Sequence, residues 1–165
     1  MRFPIRLVFA ALLFMGSVIV AAERPNFSGS YTLKRDKVDS ISNEATVWTL
    51  IVIQTEVAIE VTRVENGQWN VTRYPLDGTE GTYTGLGGAP GKCKGQFKRK
   101  ILILESVVPW HPLPNVPTVV VHTKERWELS SDSKKLTIHY DATTPQIPLN
   151  DNIVQEPSTD IYIRN

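Results

Sequence analysis

Between Val119 and Leu129 the chain alternates strictly, and one acid stands on the apolar side of that alternation. Val119, Val121, Thr123, Glu125, Trp127 and Leu129 share one face, and Val120, His122, Lys124, Arg126 and Glu128 share the other. Successive side chains of a strand point to opposite sides, so the second set faces water and the first faces inward. Pairing Leu129 with Leu136 across the following turn sets Glu125 beside Tyr140. A buried carboxylate is costly unless it is paired or hydrogen-bonded. Two readings stay open: Glu125 lines a polar pocket that takes a ligand, or a bulge or rim position lets it reach water or an arginine.

The other reactive side chains point to less chemistry. In the same register His139 lies opposite Arg126 and His122 opposite Thr143. Four residues apart, they are separated by about 13 Å along the strands, too far to share a zinc ion whose ligands lie within about 2.1 Å. The third histidine, His111, sits among prolines, and neither a metal nor a cofactor is expected. Gly85–Lys92 (GLGGAPGK) invites comparison with a phosphate-binding loop. Leu86 stands where such a loop needs its first glycine, Cys93 replaces the hydroxyl residue, and no helix follows. A flexible hairpin loop is the better expectation. Cys93, the only cysteine, excludes an internal disulfide framework and a CxxC zinc module and reads as an inert small side chain. No G-x-S-x-G or HExxH motif occurs. Catalytic triads assemble from distant residues, so an enzyme with its site at one end of the fold stays among the readings.

What must position these groups is almost entirely β-structure. From Asn26 onward, short β-branched and aromatic runs alternate with Gly, Pro, Asn, Asp and Ser clusters. The expected strands are Phe27–Arg35, Thr46–Thr55, Val57–Val64, Gln68–Leu76, Gly81–Thr84, Cys93–Lys98, Lys100–Val108, Thr118–Ser130, Lys135–Ala142 and Asp160–Arg164, with a polar connection over Val38–Ala45. Asn66-Gly67 is a strong hairpin signal, since a type I′ turn needs positive φ at both central residues. It sets Glu60 opposite Arg73, a favourable cross-strand pair. Pro109–Pro117 carries four prolines and is expected to lie outside the sheet, as is Pro145–Pro157. Eight to ten antiparallel strands with short sequential connections predict an all-β, up-and-down barrel, which removes exposed edges.

Two stretches carry a family resemblance. Asn26-Phe27-Ser28-Gly29-Ser30-Tyr31 resembles the N-F-S-G-x-W opening of exported bacterial proteins with a lipocalin-like (calycin-type) β-barrel. Glu125-Arg126-Trp127-Glu128-Leu129-Ser130, followed by Lys134-Lys135-Leu136-Thr137-Ile138, resembles their late hairpin. The resemblance spans most of residues 26–165 and implies a fold and an export route, with no catalytic residues. It also implies that an aromatic ring at Tyr31, after Gly29, closes the barrel floor beneath a basic residue of the last strand, Arg164. Tyrosine stands where the family has tryptophan.

The start of the chain reads as an address. Arg2 and Arg6 precede an apolar run from Leu7 to Val20, and Val20-Ala21-Ala22 offers small residues before Glu23-Arg24-Pro25. This is the layout of a secretory signal peptide over residues 1–22, ahead of one barrel domain over 23–165. A retained N-terminal anchor is the rival reading. No later stretch is apolar enough to span a bilayer as a helix. The 165 residues carry 18 basic and 17 acidic side chains, a formal charge of +1. Losing Arg2 and Arg6 leaves 16 basic against 17 acidic, so composition gives no reason to expect a nucleic-acid partner. The expectation is a periplasmic or extracellular barrel that binds a small apolar or amphipathic molecule without catalysis. Inward-facing Trp48, Glu125, Trp127 and Tyr140 would meet the ligand, joined by Trp110 from the proline loop. A barrel of about eight strands has room for side-chain filling or for one small ligand. A filled core acting through its loops as an interaction module is the alternative.

Overall fold

The computed structural model describes residues 24–34, 48–65, 67–85, 88–110, 118–143 and 157–165. Ten strands run in chain order: β1 (Gly29–Leu33), β2 (Trp48–Gln54), β3 (Ala58–Glu65), β4 (Gln68–Pro75), β5 (Gly81–Thr84), β6 (Pro90–Lys98), β7 (Ile101–Trp110), β8 (Val119–Leu129), β9 (Lys135–Thr143) and β10 (Ser158–Arg164). They form one antiparallel sheet in the order β4-β3-β2-β1-β10-β9-β8-β7-β6-β5. The sheet rolls into a nearly closed, all-β barrel. Its two ends, β4 and β5, are consecutive in the chain and meet without a ladder. The Cys93 thiol donates to the Arg73 carbonyl at 3.2 Å across this seam. Backbone approaches close there: a Cβ on Gly81 would lie 2.9 Å from Pro75 Cδ.

The expected registers hold. Glu65 pairs with Gln68 and Glu60 with Arg73 around the turn at Gly67, whose φ is +77°. Leu129 pairs with Leu136, Glu125 with Tyr140, Arg126 with His139 and His122 with Thr143. Alternation aims Phe27, Tyr31, Leu50, Val52, Ile59, Val61, Leu102, Leu104, Trp127, Leu136 and Ile138 into a core where each is 2 % exposed or less. Burying one such large side chain contributes roughly 1.5–3 kcal/mol, and this apolar interior holds the sheet closed.

Some details differ from expectation. Pro109 belongs to β7 and pairs with Val120. It lies beyond the last β6–β7 pair, Lys92 with Val107, where its missing N–H costs no ladder bond on that side. Pro90 begins β6 opposite Thr84, so the glycine-rich loop is shorter than its composition suggested. Val57 sits in the bend before β3 and is exposed, while Ala58 and Ile59 are both buried. The tight connection after β6 falls at Arg99-Lys100, with Arg99 at φ +60°. The expected connection over Val38–Ala45, the proline segment after Trp110 with His111, and Pro145–Glu156 lie outside the described residues, as do residues 1–22.

Candidate functional site

Glu125 projects from β8 into the barrel and is 5 % exposed. An arginine answers it from the opposite wall. Arg63 Nη2 donates to Glu125 Oε1 and Oε2, both at 2.7 Å. Arg63 points inward because Ile59, Val61 and Arg63 share one face of β3, and its neighbour across the ladder is the buried Leu50. Trp127, two residues from Glu125 and on the same face, donates its indole N–H to Oε2 at 2.8 Å. The carboxylate therefore has three charge-assisted or polar contacts, as a buried charge requires.

Tyrosines surround the pair. Tyr74 lies close enough to Arg63 to interact with its charge, and Tyr140 and Tyr162 neighbour each other in the same interior. Burial holds the Tyr74 and Tyr140 hydroxyls far above the ordinary tyrosine range and pushes Tyr162 up to about 12. The negative charge of Glu125 adds to this at Tyr140 and, more weakly, at Tyr74 and Tyr162. At Arg63, burial disfavours the cation, but the Glu125 charge and the tyrosines outweigh it, and the guanidinium stays protonated. The cluster is one cation, one anion and neutral hydroxyls.

The two halves of the interior differ. One end is plugged. Phe27 packs on Trp127 with ring centroids 6.1 Å apart and on Phe97 at 6.2 Å. Arg164 lies over the Tyr31 ring at 5.2 Å and donates to the Tyr31 hydroxyl at 2.7 Å and the Ser28 carbonyl at 2.8 Å. The Tyr31 hydroxyl in turn donates to the Phe27 carbonyl at 2.8 Å. A Cβ on Gly29 would come within 3.0 Å of Arg164 Nε. Towards the other end, the inward-facing Trp48, Arg63, Tyr83, Thr123 and Tyr140 are only half-buried. Arg63 keeps 24 % of its side chain accessible against 7 % for Glu125. Among the described residues the Trp48 indole N–H is buried without an acceptor.

The structure thus brings Glu125, Trp127 and Tyr140 together and places Trp48 further along the same interior. Trp110 ends β7 opposite Val119, and its side chain lies outside the described residues. Arg63 and Tyr74 were missed by sequence reasoning. The signal was present, because Arg63 continues the apolar Ile59 and Val61 alternation just as Glu125 interrupts that of β8. His139 Nδ1 meets the Thr159 hydroxyl at 2.9 Å, and among the described residues no three His, Cys, Asp or Glu side chains gather as a metal site. A groove of about 400 Å³ runs over the outer face of β6 to β9, lined by Glu80, Lys92, Lys94, Glu105, His122 and Lys124 among others. Its charges pair with one another, Lys92 with Glu80 at 2.9 Å and Lys94 with Glu105 at 3.2 Å. Such exposed pairs are weak and solvated, and the interior cluster is the better candidate.

Comparison with known proteins shows the fold. No protein-family profile matches the chain, and no curated protein matches it by sequence. Among solved structures, it is similar to one titled REP1-NXSQ fatty acid transporter, with a TM-score of 0.53 and 11% identity over 84% of this chain and 96% of that one. It is also similar to apo lipid binding protein 8 of Caenorhabditis elegans, with a TM-score of 0.51 and 11% identity over 84% and 95%.

Proposed function

We propose that the protein is a non-catalytic carrier that binds one small apolar or amphipathic molecule inside the barrel. The observation that carries this reading is the uneven interior. One end is closed by the contacts of Phe27, Tyr31, Trp127 and Arg164, while Trp48, Arg63, Tyr83, Thr123 and Tyr140 face inward and are only partly buried. A mostly apolar space with a few convergent polar groups is the usual character of a ligand site. The similar structures, a fatty acid transporter and a lipid binding protein, agree with it. Native mass spectrometry of protein purified from its own host should show a co-purifying small molecule, and an uncharged apolar dye should gain fluorescence on binding. A bare mass together with a silent dye would overturn the reading.

The same reading takes residues 1–22 as a signal peptide and the product as periplasmic or extracellular. The basic start, the short apolar run and the small residues before Glu23 support it. N-terminal sequencing of the native product should begin at Glu23, and an intact Met1 in a cytoplasmic fraction would refute it.

One observation favours a second reading, an interaction module. Ile51, Ile53, Val71 and Trp69 lie exposed on the outer face of β2 and β4, with Ile51 and Val71 both paired to Thr62. Several exposed apolar side chains on one sheet face are a candidate contact surface. Sedimentation velocity over a range of concentrations would detect the simplest such contact, between copies of the chain, and a monomer at every concentration would count against it.

A further inference from the structure

The interior cation is already neutralised. Arg63 holds both oxygens of Glu125 at 2.7 Å, and Trp127 fixes the same carboxylate. Among the described residues the other lysines and arginines lie on the outer face, in turns or near the chain ends, or, as Arg164, at the plugged floor. Among the described residues, an anionic headgroup entering past Trp48 and Tyr140 would therefore meet no free counter-charge. To gain one it would have to displace Glu125, leaving a carboxylate that is 7 % exposed with the Trp127 indole alone. Stranding a buried charge in this way is strongly unfavourable. A cationic head would face Arg63 and meet the converse penalty. A neutral head can use the hydroxyls of Tyr74, Tyr140 and Thr123 and the unused N–H groups of Arg63 without breaking the ion pair.

We propose that the barrel selects uncharged amphiphiles, with a hydroxyl or carbonyl head, over free carboxylates, and that Glu125 sets this selectivity by occupying Arg63. The inference rests on the barrel-binding reading and narrows it.

The test is displacement of an uncharged fluorescent dye from the full chain by dodecanol and by dodecanoate at about pH 8, where the acid is ionised. Each midpoint is corrected for that compound's own water–octanol partition. After correction, dodecanol should displace the dye at about tenfold lower concentration than dodecanoate, a difference of about 1.4 kcal/mol. Glu125→Gln frees the Arg63 charge and should shift the ratio about tenfold towards dodecanoate. Trp69→Ala, on the outer face, should leave it unchanged. The wild-type comparison decides even where Glu125→Gln does not fold. Dodecanoate binding as well as dodecanol in the wild type overturns the selectivity and leaves barrel binding standing. A preference that is unchanged in a folded Glu125→Gln overturns the role of Glu125. A dye that never binds overturns the barrel-binding reading and this inference with it.

Discussion

Breaking the Arg63–Glu125 pair from either side should cost unequal amounts, and removing both partners should cost less than removing either. Losing one member of a buried ion pair typically costs about 3–5 kcal/mol because the survivor is left uncompensated. Here the survivors differ. Arg63→Met leaves Glu125, 7 % exposed, with one indole N–H, and we expect a loss of about 3 kcal/mol. Glu125→Leu leaves Arg63, 24 % exposed and still beside the Tyr74 hydroxyl. That access to water lowers the expected loss to about 2 kcal/mol, including roughly 1 kcal/mol for the orphaned Trp127 N–H. In the double variant no charge remains, the apolar side chains keep most of the volume, and a loss of about 1 kcal/mol is expected. Urea unfolding followed by tryptophan fluorescence reads all four proteins, with the slope against denaturant checked for constancy. A double variant that loses as much as the two singles combined would refute the pairing argument. So would Arg63→Met within about 0.5 kcal/mol of wild type.

Other expectations are simpler. Burial raises Tyr74, Tyr140 and Tyr162 above their ordinary range, so their folded pKa values exceed those of the unfolded chain. Their contribution to stability is complete below about pH 10 and is lost as pH rises further towards the folded values. Tyrosinate absorbance from these three should therefore appear only with unfolding, and reversible ionisation near pH 10 in the folded protein would contradict this. Trp127→Ala should cost about 3–5 kcal/mol in urea unfolding, whereas Trp69→Ala, 71% exposed, should stay within about 0.5 kcal/mol of wild type. Gly29→Ala drives a methyl against Arg164 Nε at a φ of +154° that L residues rarely adopt and should cost about 1–2 kcal/mol as the floor contacts and backbone shift; an unchanged midpoint would show that both the guanidinium and the backbone relax freely. Cys93 is buried and its thiol is pushed up by burial. Its reaction with a disulfide reagent should track opening of the barrel, and immediate labelling in native buffer would show the seam between β4 and β5 to be open.

The sequence spoke most clearly where the two faces of a strand differ chemically and a turn fixes the register. The late hairpin meets both conditions, so Glu125, Tyr140 and Trp127 could be placed on one face in advance. Asn66-Gly67 did the same for β3 and β4. β2 gave no such guide, because Leu50 and Val52 inside and Ile51 and Ile53 outside are equally apolar. Arg63 escaped because an arginine at the end of the apolar Ile59 and Val61 alternation reads as the point where the strand runs out into water, until the strand's partners are known. Its meeting with Glu125 crosses 62 residues of chain, and nothing local to either residue records it. Pro109 misled for a related reason: a proline's exclusion from a sheet depends on whether a neighbouring strand still pairs alongside, and the β6–β7 pairing stops at Lys92 and Val107.

The position of β10 governs how the molecule can form. It lies in mid-sheet, between β1 and β9, although it emerges in synthesis after both of them. Tyr31 and Arg164, 133 residues apart, must join before either half of the sheet gains its second neighbour. Until then the chain holds two separate fragments, β1 to β4 and β5 to β9, with β1 and the nine-residue β9 as unpaired edges that invite association with other chains. Closing so large a loop late makes this a slow-folding topology. Deleting 158–165 would remove the strap that joins those fragments, and would divide one cooperative unit into two.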